Sequence, residues 1–398
     1  MLRRITAFLM IIVCLTAVFS FAEEETPVLS VGDKGSEVQR LKQRLYELGY
    51  IKSSKFTKSF NNDTVAYLKT FQRMNGLEET GILTAELRDL IFSDQAVPLL
   101  SSASVPLATP APPPVFEMPP ADSEGYLIGD GEFFYENDDA GYWFYLNRDL
   151  QIWITRCHDT SVPLIWFETD IRCRGDERFR TVQTDPEHPG KKLQYPYVIS
   201  RNEQFVLGFS DDFFAVRMNG KEKVGIIIRE GKILSSKTNS KVGHHLPNLD
   251  MMAQYPDGTF RVYQCNERTA EELIAEGAIN VFSFGPILIR DGVINELLYK
   301  YYRSIEPRHA FGMIGPGHYL LLSVQGRTDD SKGTALQRVA EIMLERGVTD
   351  ALNLDGGNTM ALVFRGRMLN KLATYKKKQF VRTVSSLIGI GTTSDQAD

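Results

Sequence analysis

The chain is 398 residues long, carries a formal net charge of −5, and is 43% hydrophobic and 24% charged. That length exceeds one small domain, and the composition is that of an ordinary globular protein. The acidic balance gives no reason to expect nucleic acid or an anionic membrane as partner. Any phosphate recognition must then come from a local cluster of arginines rather than from a global field.

Met1-Leu2-Arg3-Arg4 is a short basic start, followed by an apolar core from Ile5 to Phe21 and small residues at Ser20 and Ala22. This is the layout of a signal peptide over residues 1–22, cleaved after Ala22 to leave a secreted chain with no stable membrane anchor. An uncleaved anchor is the competing reading, because about seventeen apolar residues lie near the lower limit for spanning a bilayer. Without the signal, Cys157, Cys173 and Cys265 remain, an odd number without metal-ligand spacing, and no disulfide follows from it.

Residues 29–92 read as a small three-helix module. Val38, Leu41, Leu45 and Leu48 form one stripe ending at Gly49, and Ser36 with Gln39 fits a capping box. A second helix begins near Asn62-Asp63, buries Val65, Leu68 and Phe71, and stops at Gly76. A third opens at Thr84 and buries Leu87, Leu90 and Ile91. The order Gly32, Gly35, Val38, Leu41, Leu45, Leu48-Gly49-Tyr50, Val65, Phe71-Gln72, Gly76-Leu77, Gly81 resembles the peptidoglycan-binding domain of bacterial wall enzymes. The resemblance implies peptidoglycan as a partner, with Tyr50, Tyr67 and Gln72 as candidate sugar contacts; each could equally be a core residue.

Residues 93–123 contain eight prolines among Ala, Ser and Val. Such a segment neither propagates a helix nor pairs as a central strand, and it reads as a semi-rigid linker. Residues 125–395 then form a large domain. Its aromatic and β-branched runs, such as Trp143-Phe144-Tyr145, Leu164-Ile165-Trp166-Phe167 and Val224 to Ile228, predict strands. Helical periodicity is concentrated at 269–276 and 334–346. The fold class is therefore α+β, with a sheet-dominated domain behind a small helical bundle.

Two apolar runs end on chemistry. Leu320 to Val324 leads into Gln325-Gly326-Arg327, and Ala351 to Leu354 leads into Asp355-Gly356-Gly357-Asn358. Between them Thr334 to Arg346 has Leu336, Val339, Ala340 and Met343 at helical spacing, with Thr334 and Gln337 as a capping box. A strand–helix–strand unit with neighbouring parallel strands would carry Gln325, Arg327 and Asp355 to one sheet edge. Paired glycines allow a sharp turn and a close ligand approach, although Asp-Gly-Gly by itself can be only a turn.

Arg308, Gly312, Gln325-Gly326-Arg327, Ser331, Gly333, the 353–360 block, Phe284 to Gly292 and Arg382 to Ser386 occur in an order that resembles the phosphodiester glycosidase family over about residues 195–392. The resemblance implies hydrolysis at the anomeric carbon of a sugar-1-phosphodiester of N-acetylglucosamine-phosphate type, in a wall polymer or exopolysaccharide. Such a reaction needs a carboxylate to activate water or act as nucleophile, and the resemblance points to Asp355 and Asp212. It needs planar cations for the departing phosphate, for which Arg308 and Arg327 are candidates. Gln325, Gly326, Ser331, Asn353, Gly356, Gly357, Asn358 and Arg382 complete the expected substrate-binding set. Ser210-Asp211 stands where the family has Asn-Gly, which keeps open a non-catalytic wall- and sugar-binding protein. A divalent cation is a possible cofactor, with Asp211, Asp212, Asp329, Asp330 and Asp355 as oxygen donors. His309 reads as a surface histidine or an added acid–base group. Lys376-Lys377-Lys378 reads as a solvated loop or a grip for an anionic polymer.

Overall fold

The computed structural model describes residues 29–48, 50–51, 56–93, 95–96, 114, 116–159, 162–212 and 223–396. The expected signal peptide, residues 1–22, and most of the proline-rich segment lie outside the described residues. The chain divides between Val105 and Pro106 into two compact units.

The first unit is built on α1 (Ser36–Glu47), α2 (Asn62–Met74) and α3 (Ala85–Phe92). Val38, Leu41, Leu45, Phe60, Leu68, Phe71, Leu87 and Ile91 fill its core, as the helical spacing requires. Asn61 caps α2 by a reciprocal capping box with Thr64, and Thr84 caps α3 through the Leu87 amide. The expected Ser36–Gln39 box does not form. Gly35 occupies the N-cap position and Ser36 is already helical, so its hydroxyl is one residue too late.

The second unit is sheet-dominated, and its helices among the described residues are short: α4 (Pro196–Asn202), α5 (Ala270–Ala275), α6 (Leu297–Tyr301) and α7 (Leu336–Glu345). A nine-stranded sheet runs in the order 133–137, 142–146, 150–159, 164–173, 318–324, 308–315, 350–354, 287–290, 293–294. A five-stranded sheet is ordered 260–263, 250–254, 280–284, 225–229, 232–237, and another 367–368, 362–364, 207–209, 386–390, 180–183. Alternation on the central strands gives the large sheet two dry faces. Ala310, Leu320 and Leu322 pack under Leu336, Val339, Ala340 and Met343 of α7, while Phe311, Leu321, Leu352 and Leu354 face Phe209, Met252 and Phe282 of the other sheets.

The central topology corrects the expected strand–helix–strand unit. The strands 318–324 and 350–354 are not neighbours, because strand 308–315 lies between them and is antiparallel to both. His309 is registered opposite Ser323 on one side and Leu354 on the other. The two flanking strands therefore still finish at the same sheet end, and Arg308 starts the central strand there. Thr334 does not cap α7: it bridges to Glu306 through both backbone groups, and the helix begins after Ala335.

One buried ionic cluster ties the sheets together at that end. The Arg229 guanidinium reaches Asp211 Oδ2 at 3.2 Å and Asp212 Oδ1 at 3.0 Å, and donates to the Val281 carbonyl at 2.6 Å. It also lies 4.6 Å from the centre of the Phe282 ring. Asp212 Oδ2 accepts the Ser283 amide at 3.0 Å, Asp211 Oδ2 accepts the Ser386 hydroxyl, and the Asp211 carbonyl accepts the Asp355 amide at 3.2 Å. Replacing Arg229 by Met would leave two carboxylates buried without their cation. Such a loss costs about 3–5 kcal/mol. A denaturant titration of Arg229→Met is expected to show a shift of that size in unfolding free energy, and an unchanged midpoint would remove the cluster from the stability of the fold.

Candidate functional site

The candidate site lies where strands 318–324 and 350–354 end. Asp355 follows the second of these and is mostly shielded, with Arg382 Nη1 3.9 Å from its Oδ2. The Arg382 Nη1 donates to the Thr359 hydroxyl at 3.2 Å, and its backbone amide donates to the Asn358 carbonyl at 2.7 Å. Arg327, held at φ +55°, donates through Nε to Glu306 at 2.8 Å and through Nη1 to Asn358 Oδ1 at 3.2 Å. About a third of its side chain remains exposed. One carboxylate and two forked cations thus gather around Asn358.

Several expected contacts have scaffold roles here. Asn358 is buried; its carboxamide nitrogen donates to the carbonyls of Ala373 and Phe380 while its oxygen receives Arg327. It clamps the Gly357–Thr359 turn onto the segment that flanks the hairpin 374–379. Gln325 Oε1 accepts the Lys371 amide at 2.7 Å, and the Ser331 hydroxyl spans the Gln325 carbonyl and the Ile165 amide. Asn353 donates to the Gly285 carbonyl at 2.9 Å, while its buried side-chain oxygen has no hydrogen-bond partner among the described residues.

The glycines are likewise explained by backbone packing. A Cβ on Gly356 would run into Pro307 and Arg308 backbone atoms, and one on Gly326 would meet Gly333 and the Lys332 carbonyl. Gly357 supplies a left-handed turn at φ +59°. The space beside Gly356 and Gly326 is therefore filled by the protein's own chain rather than left for a ligand.

Arg308 also departs from the expected phosphate contact. It is 5% exposed, and its guanidinium donates to the Thr334 carbonyl and to the carbonyl and hydroxyl of Ser304. Burial lowers its pKa to about 10, partly offset by Glu306. Asp212 follows Asp211, whose carbonyl accepts the Asp355 amide, but its own carboxylate is fully buried and turned toward Arg229 and the Ser283 amide. His309 is not on the surface: it is fully buried on the central strand with Nδ1 3.1 Å from the Ser323 hydroxyl.

Glu306, Arg229 and Ser283 enter the surroundings of the site without a signal in the sequence, because their partners are far away in the chain, whereas Thr359 and Ser386 lie inside motifs that carry the family resemblance without having been singled out. Among the described residues no three His, Cys, Asp or Glu side chains converge as a metal ligand set. Asp330 instead pairs with Lys371. The three described cysteines are free.

In the first unit, Tyr50 is buried with its ring 5.1 Å from that of Phe71, and Gln72 bonds the Thr80 hydroxyl and the Gly81 amide. Both serve the core and its turn rather than a sugar platform, while Tyr67 is half-buried. A separate groove of about 250 Å³ lies between α1 and α3, lined by Arg40, Leu41, Leu83, Arg88 and Phe92. The Arg40 guanidinium sits 5.2 Å from the centre of the partly exposed Phe92 ring.

His309 generates a pH prediction. Burial without a compensating anion depresses its pKa to about 3, against about 6.5 when unfolded. The unfolded chain therefore binds a proton that the native chain refuses, so stability is complete above about pH 6.5 and declines as pH falls toward 3. His309→Gln is expected to flatten this part of the stability–pH profile in denaturant titrations; a profile of unchanged slope would show that other groups govern it.

Comparison with known proteins adds two family matches. Residues 203–391 match the phosphodiester glycosidase family and residues 34–91 a peptidoglycan binding domain. The SPbeta prophage-derived uncharacterized protein YomE of Bacillus subtilis is 27% identical over 172 residues, covering 42% of this chain and 26% of that protein. The chloroplastic protein disulfide isomerase pTAC5 of Arabidopsis thaliana is 36% identical over 72 residues, 18% of this chain and 19% of that protein. The chain thus spans about a quarter and a fifth of these two curated relatives. Among solved structures, the zebrafish N-acetylglucosamine-1-phosphodiester alpha-N-acetylglucosaminidase catalytic domain, auto-inhibited by its pro-peptide, is 20% identical with a TM-score of 0.46. That alignment covers 62% of this chain and 83% of the zebrafish chain. A hypothetical protein from Synechocystis is 13% identical with a TM-score of 0.43, over 61% and 62% of the two chains.

Proposed function

Because the chain carries a phosphodiester glycosidase domain and a peptidoglycan-binding domain, we propose that it is a secreted, wall-associated hydrolase that cleaves a sugar-1-phosphodiester bond in a wall polymer or exopolysaccharide. The observation that carries this reading is the gathering of Asp355, Arg382 and Arg327 at one sheet end. Among the described residues no helix is long and apolar enough to cross a membrane.

In the proposed reaction, water attacks the anomeric carbon and the bond from that carbon to the phosphate oxygen breaks. Asp355 receives the proton of the attacking water, and the free sugar and a phosphate monoester leave. A phosphate departs more readily than a sugar alkoxide, so stabilising its charge matters more than protonating it. Arg327 and Arg382 serve that need, since a guanidinium meets two phosphate oxygens at once. Glu306 holds the Arg327 fork on one side and Asn358 holds it on the other. His309, buried and neutral, takes no part in proton transfer.

The direct test is release of reducing sugar from a sugar-1-phosphodiester by the full chain. Asp355→Asn is expected to lower turnover by about 10²–10⁴-fold, the range for loss of a positioned acid–base group. Undiminished release would remove Asp355 from the mechanism. No release by the native chain from either hexose or N-acetylhexosamine donors would leave a sugar-binding protein instead.

For the first unit, we assign wall binding to the groove between α1 and α3, with Tyr67 as the remaining candidate from α2. An exposed ring beside a guanidinium offers a sugar both an apolar face and hydrogen-bond donors. Phe92→Ala is expected to weaken sedimentation of the full chain with purified sacculi roughly tenfold. Binding that is unaffected by Phe92→Ala but lost in Tyr67→Ala would move the contact to α2.

A further inference from the structure

The hairpin Thr374–Gln379 is clipped directly to the candidate site. Thr374 donates its amide to the Arg327 carbonyl at 3.1 Å, and Asn358 holds the carbonyls of Ala373 and Phe380 on either side. The register Thr374 opposite Gln379 and Tyr375 opposite Lys378 leaves a two-residue turn at Lys376-Lys377. Both turn residues lie in the left-handed region, at φ +48° and +65°. A turn with two positive φ values favours Asn-Gly, and side chains longer than Asn are disfavoured there. This hairpin places lysines at both positions and a third directly after them.

All three lysines are exposed, and among the described residues none lies within 4.0 Å of a carboxylate. Arg327, at the hairpin's base, differs: it is paired with Glu306. In a chain of net charge −5, three adjacent cations without a carboxylate partner form a local positive field on a hairpin whose base is bonded to Arg327 and Asn358. Tyr375, also exposed, adds an aromatic face on the same hairpin, with Lys376 Nζ 5.4 Å from its ring centre. A site that served only one phosphodiester would need no further cations beyond its two arginines.

We propose that the 374–379 hairpin is a polyanion grip, and that the ligand of this site is a polymer of sugar units joined by successive phosphodiesters rather than an isolated sugar-1-phosphodiester. The lysines hold phosphates of units adjoining the one at Arg327 and Arg382. Fixed attachment through Asn358 and Arg327 keeps the grip in register with the site. This inference rests on the proposed reading of that site, but its test reads binding and needs no turnover.

The double variant Lys376→Asn/Lys377→Gly removes two charges and installs the residues that the turn prefers, so its thermal midpoint is expected to stay the same or rise. The probe is a soluble poly(N-acetylglucosamine 1-phosphate), compared with monomeric methyl-phosphoryl N-acetylglucosamine and an uncharged N-acetylglucosamine oligomer, all on the full chain. The native chain is expected to bind the polymer more tightly than the monomer, with affinity falling as salt rises. The double variant should bind the polymer about tenfold more weakly at low salt, with a flatter salt dependence. Equal polymer affinity and equal salt slope for native and variant chains would overturn the grip. A weakened variant without any release of sugar by the native chain would keep the grip and reject the glycosidase reading, so the two failures are distinguishable.

Discussion

The arrangement of the large unit depends on the buried contact of Arg229 with Asp211 and Asp212. Burying these charges is unfavourable unless each finds a partner, and a lone member would be strongly destabilising. The three groups come from two different sheets, so satisfying them fixes how those sheets meet. Asp211 then passes the constraint to the third sheet, because its carbonyl receives the amide of Asp355. The position of the candidate catalytic carboxylate is thereby set by an ion cluster that itself faces the core. This also accounts for the Ser210-Asp211 sequence. Asp211 accepts the Ser386 hydroxyl, and the Ser210 hydroxyl accepts the Ala361 amide at 3.0 Å, so both side chains bind the neighbouring strands.

A second consequence concerns the polar residues around the site. A strand end in a closely packed sheet exposes backbone groups that must find partners, and side chains are the nearest source. Gln325, Ser331, Asn358 and Arg308 answer that demand, each bonded to main-chain atoms from a distant segment. What remains for a ligand is small: Asp355, Arg382 and Arg327. Such a site gains rigidity from its surroundings, and preorganised charge is worth more than charge that must be reoriented during reaction.

Much of this fold was legible because it rests on local pattern. The stripe from Val38 to Leu48, the apolar periodicity from Leu336 to Met343 and the alternating runs of the large unit each specify an element from nearby residues. The sheet end was legible for an incomplete reason. Gln325 and Asp355 do share it, yet strand 308–315, which follows a cross-sheet hydrogen-bond pattern, is inserted between their strands. Capping signals failed at Ser36 and Thr334 because a motif identifies polar residues near a helix start but not which of them has its backbone free. The fates of Arg308 and Tyr50 were hidden for a related reason. Whether a guanidinium meets phosphate or the carbonyls of Ser304 and Thr334 is decided by loops that no periodicity describes. Residue type narrows a role; burial and partner geometry choose it.

The peptidoglycan-binding unit and the lysine hairpin would act on different length scales. Attachment to the wall raises the local concentration of every polymer within reach of the tether, whatever its charge. A cluster of exposed lysines acts only within about one Debye length, roughly 8–10 Å at ordinary ionic strength, and favours polyanions over neutral glycans. Neither effect supplies bond cleavage, and each compensates for what the other lacks. On the proposed reading, wall attachment would bring the chain to a mixture of neutral glycan strands and anionic polymers, and the hairpin would sort them. Asn358 links the two proposed elements, since one buried carboxamide holds Arg327 with its oxygen and the hairpin's base with its nitrogen. A shift of the hairpin would move that carboxamide, and with it the Arg327 guanidinium that the proposed mechanism sets against the departing phosphate.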